Sequence, residues 1–251
     1  MISKNLIKQI HSLAQKKTRI AEKMFVAEGT KIVNELLCTF NSVQIIATEN
    51  WYNTTHFNKR PNDVTVTDDE LRKISFLQHP QQVLGVFKIP TRTISKDICQ
   101  HELCLALDDV QDPGNLGTII RIADWFGIKN IFCSKNTVDA YNPKVIQATM
   151  GSIARVNIIY TDLYDFLDQQ NESVDIFGTF LDGKNIYEQE LSPTGIIVMG
   201  NEGNGISDKI STLINKRLFI PNYPQGAQNA ESLNVAIATA ITCAEFRRKI
   251  L

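Results

Sequence analysis

"LCLALDDVQDPGNLGTIIRIADWFG", residues 103–127, joins an almost unbroken apolar run to a turn and then to a helical repeat. A strand with one face in water alternates apolar and polar residues, but Leu103, Cys104, Leu105, Ala106 and Leu107 offer no polar face. Such a strand belongs inside a parallel sheet that helices cover on both sides. Pro113 and Gly114 turn the chain, Asn115 caps the helix that follows, and Leu116, Ile119, Ile120 and Ala123 share its buried face. Arg121 follows about one turn beyond Gly117. Taken alone, the segment reads as a capped helix with Arg121 paired to Asp124 at i+3.

The alternation continues toward the C-terminus. Strands are expected at "NIFCS" (130–134), "VNIIYT" (156–161), "VDIFGTFL" (174–181), "IIVMG" (196–200) and "KRLFIPN" (216–222). Helices are expected at "PKVIQATMGSIA" (143–154), "LYDFLDQQ" (163–170), "DKISTLI" (208–214) and from about Ser232 to Lys249. Strands alternating with helices so regularly specify an α/β fold with a mostly parallel sheet.

Upstream, "LIKQIHSLAQ" (6–15), "TKIVNELLC" (30–38) and "DDELRKISFL" (68–77) read as helices. "KMFVAEG" (23–29), "SVQIIATE" (42–49), "DVTVTD" (63–68) and "QQVLGVFKIP" (81–90) read as strands, making a small α/β unit. The polar run "TRTISKDICQHE" after Pro90 has no clear periodicity and reads as a linker, so a boundary near Lys96 divides the chain into residues 1–95 and 96–251.

The 251 residues are 43% hydrophobic and carry 26 Lys+Arg against 27 Asp+Glu, so bulk charge offers no attraction to polyanions and any nucleic-acid contact must be local. Such a patch exists near the N-terminus, where Lys4, Lys8, Lys16, Lys17, Arg19 and Lys23 face only Glu22. An ordinary solvated helix face would look the same. The five cysteines, Cys38, Cys99, Cys104, Cys133 and Cys243, form no C-x-x-C pair, which points to free thiols in a reducing compartment and no metal site. No stretch has the length of a signal or membrane-spanning segment, so no membrane association and a cytoplasmic location are expected.

Two further junctions resemble the first in following a strand. In "IIVMGNEGNGISD" (196–208), Gly200, Gly203 and Gly205 spell G-x-x-G-x-G, which matches neither the dinucleotide fingerprint nor the P-loop. Glu202 would repel a phosphate, so a ligand without phosphates is expected. The bland alternative is a tight structural turn. In "FIPNYPQGAQNAESLNVAIATAI" (219–241), Ile220 and Pro221 end a strand, a polar loop follows, and Ser232 and Asn234 open a helix. Ligands in open α/β sheets collect beyond the carboxyl ends of the strands, so the three junctions are expected to line one site.

"NLGTIIR", "GNEGNGIS" and "IPN...ESLNVAIATAI" resemble, in order and spacing, the three motifs of the SpoU (TrmH-like) RNA 2'-O-ribose methyltransferases of the SPOUT superfamily, over Leu103 to Arg247. "FVAEGTKIVNELL" resembles the L30e-like substrate-binding domain that often precedes this catalytic domain. The resemblance implies a sheet whose C-terminal part is threaded into a deep trefoil knot, a rare exception to ordinary topology. It implies an S-adenosylmethionine-dependent enzyme, a homodimer, and an RNA substrate. The preceding domain favours ribosomal RNA over tRNA.

Carried onto matching positions, Gly200, Ile220 and Leu233 contact the cofactor within a loop that includes Asn201, Glu202, Gly203 and Gly205. Arg121, Asn115, Glu202, Ser232 and Asn234 surround the reacting ribose. Arg121 then clamps the adjacent phosphate and stabilises developing negative charge on the 2'-oxygen, since a guanidinium stays protonated. The loop "IPNYPQGAQNAE" is longer than the usual family loop, and Gly226 falls off its typical position. Two other classes compete: a knotted RNA-binding protein without turnover, and a nicotinamide oxidoreductase.

Overall fold

A computed structural model describes residues 2–92, 94–170, 174–224 and 232–248. Gly226, Glu231 and the expected helix end at Lys249 lie outside the described residues. The chain divides into two compact units, Met1–Thr91 with Asp139–Arg155, and Arg92–Val138 with Val156–Leu251.

The first unit begins with α1 (Lys4–Ser12) and α2 (Lys16–Glu22). It continues through β1 (Met24–Glu28), α3 (Thr30–Leu37), β2 (Ser42–Ala47), α4 (Glu49–Thr55), β3 (Val64–Thr65), α5 (Asp68–Arg72) and β4 (Val83–Lys88). The sheet order is β1-β4-β2-β3, with β4 antiparallel to both neighbours. Ile10, Leu13, Val26, Ile46, Leu71 and Leu84 meet in its core. Thr67 and Glu70 form a reciprocal capping box that starts α5.

The helix expected over residues 6–15 ends earlier and is followed by a second helix that periodicity did not signal. Tight bonds from Leu13, Ala14 and Gln15 N–H to Ile10, His11 and Ser12 carbonyls close α1, and Arg19 braces the turn. Its guanidinium donates to the carbonyl oxygens of Leu13 (2.8 Å) and Ala14 (2.7 Å), and to Asp139 Oδ2 at 2.6 and 2.8 Å. Arg19 is 1% exposed and therefore leaves the basic surface, which keeps Lys4, Lys8, Lys16, Lys17 and Lys23.

The second unit opens with α6 (Ile98–His101), which lies inside the stretch expected to be a linker. Then come β5 (Leu103–Leu107), α7 (Pro113–Trp125) and β6 (Asn130–Cys133). Between β6 and the next strand, the excursion Asp139–Arg155 packs with the first unit, where α8 (Pro143–Thr149) lies against β1. The second unit resumes with β7 (Asn157–Tyr160), α9 (Leu163–Asp168), β8 (Ile176–Asn185), β9 (Gly195–Met199), α10 (Asp208–Ser211), β10 (Lys216–Phe219) and α11 (Val235–Arg248).

Its six strands run in the order β10-β8-β9-β5-β6-β7, and every pairing is parallel. Both central strands, β5 and β9, are buried at every residue, as the unbroken apolar run required. The chain leaves β5 toward β6 on one side while β9 pairs on the other. The loops after β5 and β9 therefore flank the point where the winding reverses, the place where such sheets bind ligands. The described cysteines are all free, and Cys99, Cys104, Cys133 and Cys243 are buried.

Candidate cofactor and substrate site

The glycine loop leaves β9 at Gly200 and folds back on itself. Asn201 and Gly205 exchange two backbone hydrogen bonds (2.8 and 2.9 Å), while Asn201 Oδ1 accepts the N–H groups of Gly203 (2.9 Å) and Asn204 (3.1 Å). The turn is so tight that a Cβ on Gly200 would stand 2.2 Å from the backbone of Gly205 and Ile206. Gly205, at φ 69°, adopts a left-handed conformation that glycine enters freely.

This loop forms one wall of a cavity of about 430 Å³, a volume ordinary for a small-molecule site. Gly200, Asn201, Glu202, Gly203, Gly205, Ile220, Ser232 and Leu233, all singled out in the sequence, line it. No lysine or arginine is among the described lining residues. A further wall comes from Thr179, Phe180 and Leu181, which sequence reading missed. They project from a bulge in β8, whose pairing with β10 jumps from Gly178 to Lys184 between Arg217 and Leu218. The cue in the sequence is Gly178, a glycine in the interior of the strand.

At the rim, one residue from each junction joins a continuous chain of hydrogen bonds. Asp112, rather than Asn115, caps α7 by accepting the Asn115 N–H (2.8 Å). Asn115 thus sits inside the first turn, with its side-chain amide released for other work. Asn234 caps α11: its Oδ1 accepts the N–H groups of Ala236 (2.9 Å) and Ile237 (3.3 Å). The cap decides which way the Asn234 amide faces, because its oxygen is committed to the helix.

Asn234 Nδ2 then donates to Asn115 Oδ1 (2.9 Å), and Asn115 Nδ2 donates to Glu202 Oε1 (2.9 Å). Each amide is oriented by the one before it. The chain ends on a carboxylate that also accepts the backbone N–H groups of Asp112 (3.3 Å) and Gln111 (3.4 Å). Partial burial opposes ionisation of Glu202, but the bonds from Asn115 and from the backbone of Asp112 and Gln111 outweigh it and hold its pKa below the ordinary carboxylate value.

Arg121 is exposed on α7, and among the described residues it forms no hydrogen bond or salt bridge, so the i+3 pair with Asp124 does not form. It does not line the cavity. Ser232 lines the cavity but forms no hydrogen bond with Asn234, Asn115 or Glu202 among the described residues.

A parallel six-stranded sheet with a glycine loop at its switch point beside a cavity is the arrangement of an α/β ligand-binding domain. The chain belongs to the SpoU rRNA methylase family, whose model matches residues 102–244, while residues 4–85 match an MRM3-like substrate binding domain. It is 29% identical over 250 residues to the 23S rRNA (guanosine(2553)-2'-O)-methyltransferase RlmP of Bacillus subtilis (strain 168), covering 96% of this chain and 95% of the relative. An AdoMet-bound rRNA methyltransferase structure from Sinorhizobium meliloti shares 31% identity with a TM-score of 0.86, over 100% of this chain and 97% of the other. A TrmH-family structure from Porphyromonas gingivalis shares 37% identity with a TM-score of 0.88, over 99% of both chains.

Proposed function

We propose that the chain transfers the methyl group of S-adenosylmethionine to a ribose 2'-hydroxyl of ribosomal RNA. The observation that carries this reading is the hydrogen-bonded series Asn234–Asn115–Glu202, which ties the three junctions together at the rim of the cavity. A catalytic site needs polar groups whose orientation is fixed before the substrate arrives, and this series fixes them.

The cavity suits the methyl donor. Its walls are largely apolar, its glycine loop presents backbone groups, and Glu202 supplies negative charge near a cationic sulfonium. The cofactor supplies an electrophilic methyl group. On this reading Gly200, Asn201, Gly203, Gly205, Ile220 and Leu233 hold it. Asn115, Ser232 and Asn234 orient the ribose, and Glu202 anchors the amides.

On this reading Arg121, exposed and free of described partners, takes a phosphate of the RNA backbone and stabilises charge developing on the 2'-oxygen. Bound S-adenosylmethionine would supply the methyl group to the 2'-oxygen and leave as its thioether, with the hydroxyl proton passing to solvent. The exposed lysines of α1 and α2 supply sequence-independent phosphate contacts.

The reading extends to three properties of the assembly. A concavity of about 710 Å³ lined by Trp125, Phe126, Tyr187, Ile241 and Ala244 together with the charged Glu245, Arg247 and Arg248, with Trp125 84% exposed, supports a homodimer through α7 and α11. On the family resemblance, the C-terminal part of this sheet is threaded into a trefoil knot. Four buried free thiols suit the reducing cytoplasm.

The test is transfer of isotope-labelled methyl groups into ribosomal RNA, followed by alkaline hydrolysis. A methylated 2'-oxygen cannot attack the neighbouring phosphate, so label is expected in alkali-resistant dinucleotides. Label confined to mononucleotides would place the methyl on a base and overturn the proposal. Tight RNA binding with no label at all would favour a protein that binds without turnover.

A further inference from the structure

The loop after β5 contains a residue that no motif singles out. Asp109 adopts φ 57°, the left-handed region that is disfavoured for most L-residues and that Asp and Asn tolerate best. Three contacts hold it there. Its N–H donates to Ser134 Oγ (3.0 Å), while its carboxylate accepts Ser134 Oγ (2.5 Å) and Asn136 Nδ2 (3.3 Å) at the end of β6.

The left-handed turn aims the Asp109 carbonyl across the switch point, where it accepts Asn201 Nδ2 (2.8 Å). Asn201 Oδ1 is the acceptor that organises the N–H groups of Gly203 and Asn204, so whatever anchors the Asn201 amide sets the shape of the glycine loop. The preceding residue holds the other end: Asp108, almost fully buried, accepts the Ser207 N–H at 2.8 Å.

We propose that Asp109 is a positioning residue for the methyl-donor site: its left-handed backbone, clamped by Ser134 and Asn136, aims a carbonyl at Asn201 and so fixes the loop lining the cavity. The inference rests on the S-adenosylmethionine reading given above. Asp109 does not line the cavity, so it acts through Asn201.

The experiment is calorimetric titration of S-adenosylmethionine into the full-length protein, with thermal unfolding and steady-state methyl transfer measured on the same samples. Asp109→Ala, which cannot bond Ser134 and is strained in the left-handed region, is expected to raise Kd and KM for S-adenosylmethionine on the order of tenfold, with kcat at saturation near wild type. Asp109→Asn, which tolerates the left-handed region and keeps an oxygen for Ser134, is expected to restore affinity to within about threefold of wild type.

Ser134→Ala, which leaves residue 109 intact and removes the hydroxyl that bonds Asp109 and Thr137 Oγ1, is expected to weaken binding in the same direction and serves if Asp109→Ala does not fold. Ile158→Val on β7 sets what loss of stability alone does to affinity, and its Kd is expected to match wild type. Unchanged Kd in both Asp109→Ala and Ser134→Ala overturns the proposal, as does equal loss in Asp109→Asn and Asp109→Ala. Failure of wild type to bind S-adenosylmethionine overturns the reading of the cavity and the proposal with it.

Discussion

Asn234 does two jobs with one amide. Its oxygen caps α11 and its nitrogen starts the chain of bonds to Asn115 and Glu202, and the two can be separated by replacing one atom. Asn234→Asp keeps a good cap but presents oxygen to Asn115 Oδ1, so the Asn115 amide must turn and bring its own oxygen against Glu202. Thermal stability is expected to hold while methyl transfer falls by about tenfold or more, because misplaced polar groups cost rate steeply. Transfer at the wild-type rate would show that the chain of amides has no part in the reaction.

Glu28 carries a second residue-scale prediction. Burial raises its pKa above 4.5, although bonds from Ser75 Oγ (2.5 Å) and Phe76 N–H (2.7 Å) oppose the shift. The folded state therefore holds the proton more tightly than the unfolded chain does. That contribution to stability is fully present below pH 4.5 and is lost as pH rises through the folded pKa. Glu28→Gln stays neutral and can still accept the Phe76 N–H, so its melting temperature is expected to gain on wild type as pH rises above 4.5. Parallel melting curves across the same range would contradict this.

At the scale of elements, the glycine loop shows which glycines are obligatory. A methyl on Gly200 would stand 2.2 Å from backbone that has no freedom to retreat, whereas one on Gly203 would meet only Asn201 Oδ1 at 3.6 Å. Gly200→Ala is expected to cost about 1–3 kcal/mol in chemical denaturation and to abolish detectable binding of S-adenosylmethionine. Gly203→Ala is expected to leave stability unchanged. Equal stability of the two variants would refute the close backbone approach at Gly200.

The helices and strands themselves were largely legible. The unbroken apolar runs of β5 and β9 specified a buried parallel sheet, and the i, i+3, i+4 pattern located α7. What escaped depended on side chains that bond across long stretches of sequence. Arg19 looked like one more surface cation, but its partner Asp139 lies 120 residues away, and nothing local marks it as buried. The same distance hid the packing of Asp139–Arg155 with the first unit. Asn115 was read as a cap because it follows Pro-Gly, yet Asp112 holds that position, and only this shift frees the Asn115 amide for Glu202.

For the whole molecule, charge offers little guidance: a formal net charge of -1 gives RNA no general attraction, so contacts must be local. Association between copies is expected to depend instead on the apolar face of α7 and α11. Trp125→Glu places a charge in the concavity it shares with Ile241 and Ala244, and sedimentation is expected to show a monomer where wild type is a dimer. A dimeric Trp125→Glu protein, or a monomeric wild type, would remove that surface from the account.

The central claim is that Arg121 and the amide chain serve ribose methylation at a preformed cofactor cavity. It is tested most directly by measuring methyl transfer to ribosomal RNA by wild type and Arg121→Ala, with S-adenosylmethionine binding determined on the same preparations. Arg121 is exposed, makes no bond to a described residue and does not line the cavity, so its removal should leave fold and cofactor affinity intact. The account predicts unchanged binding and a loss of transfer on the order of a hundredfold or more. Near-normal transfer by Arg121→Ala, with binding retained, would contradict it.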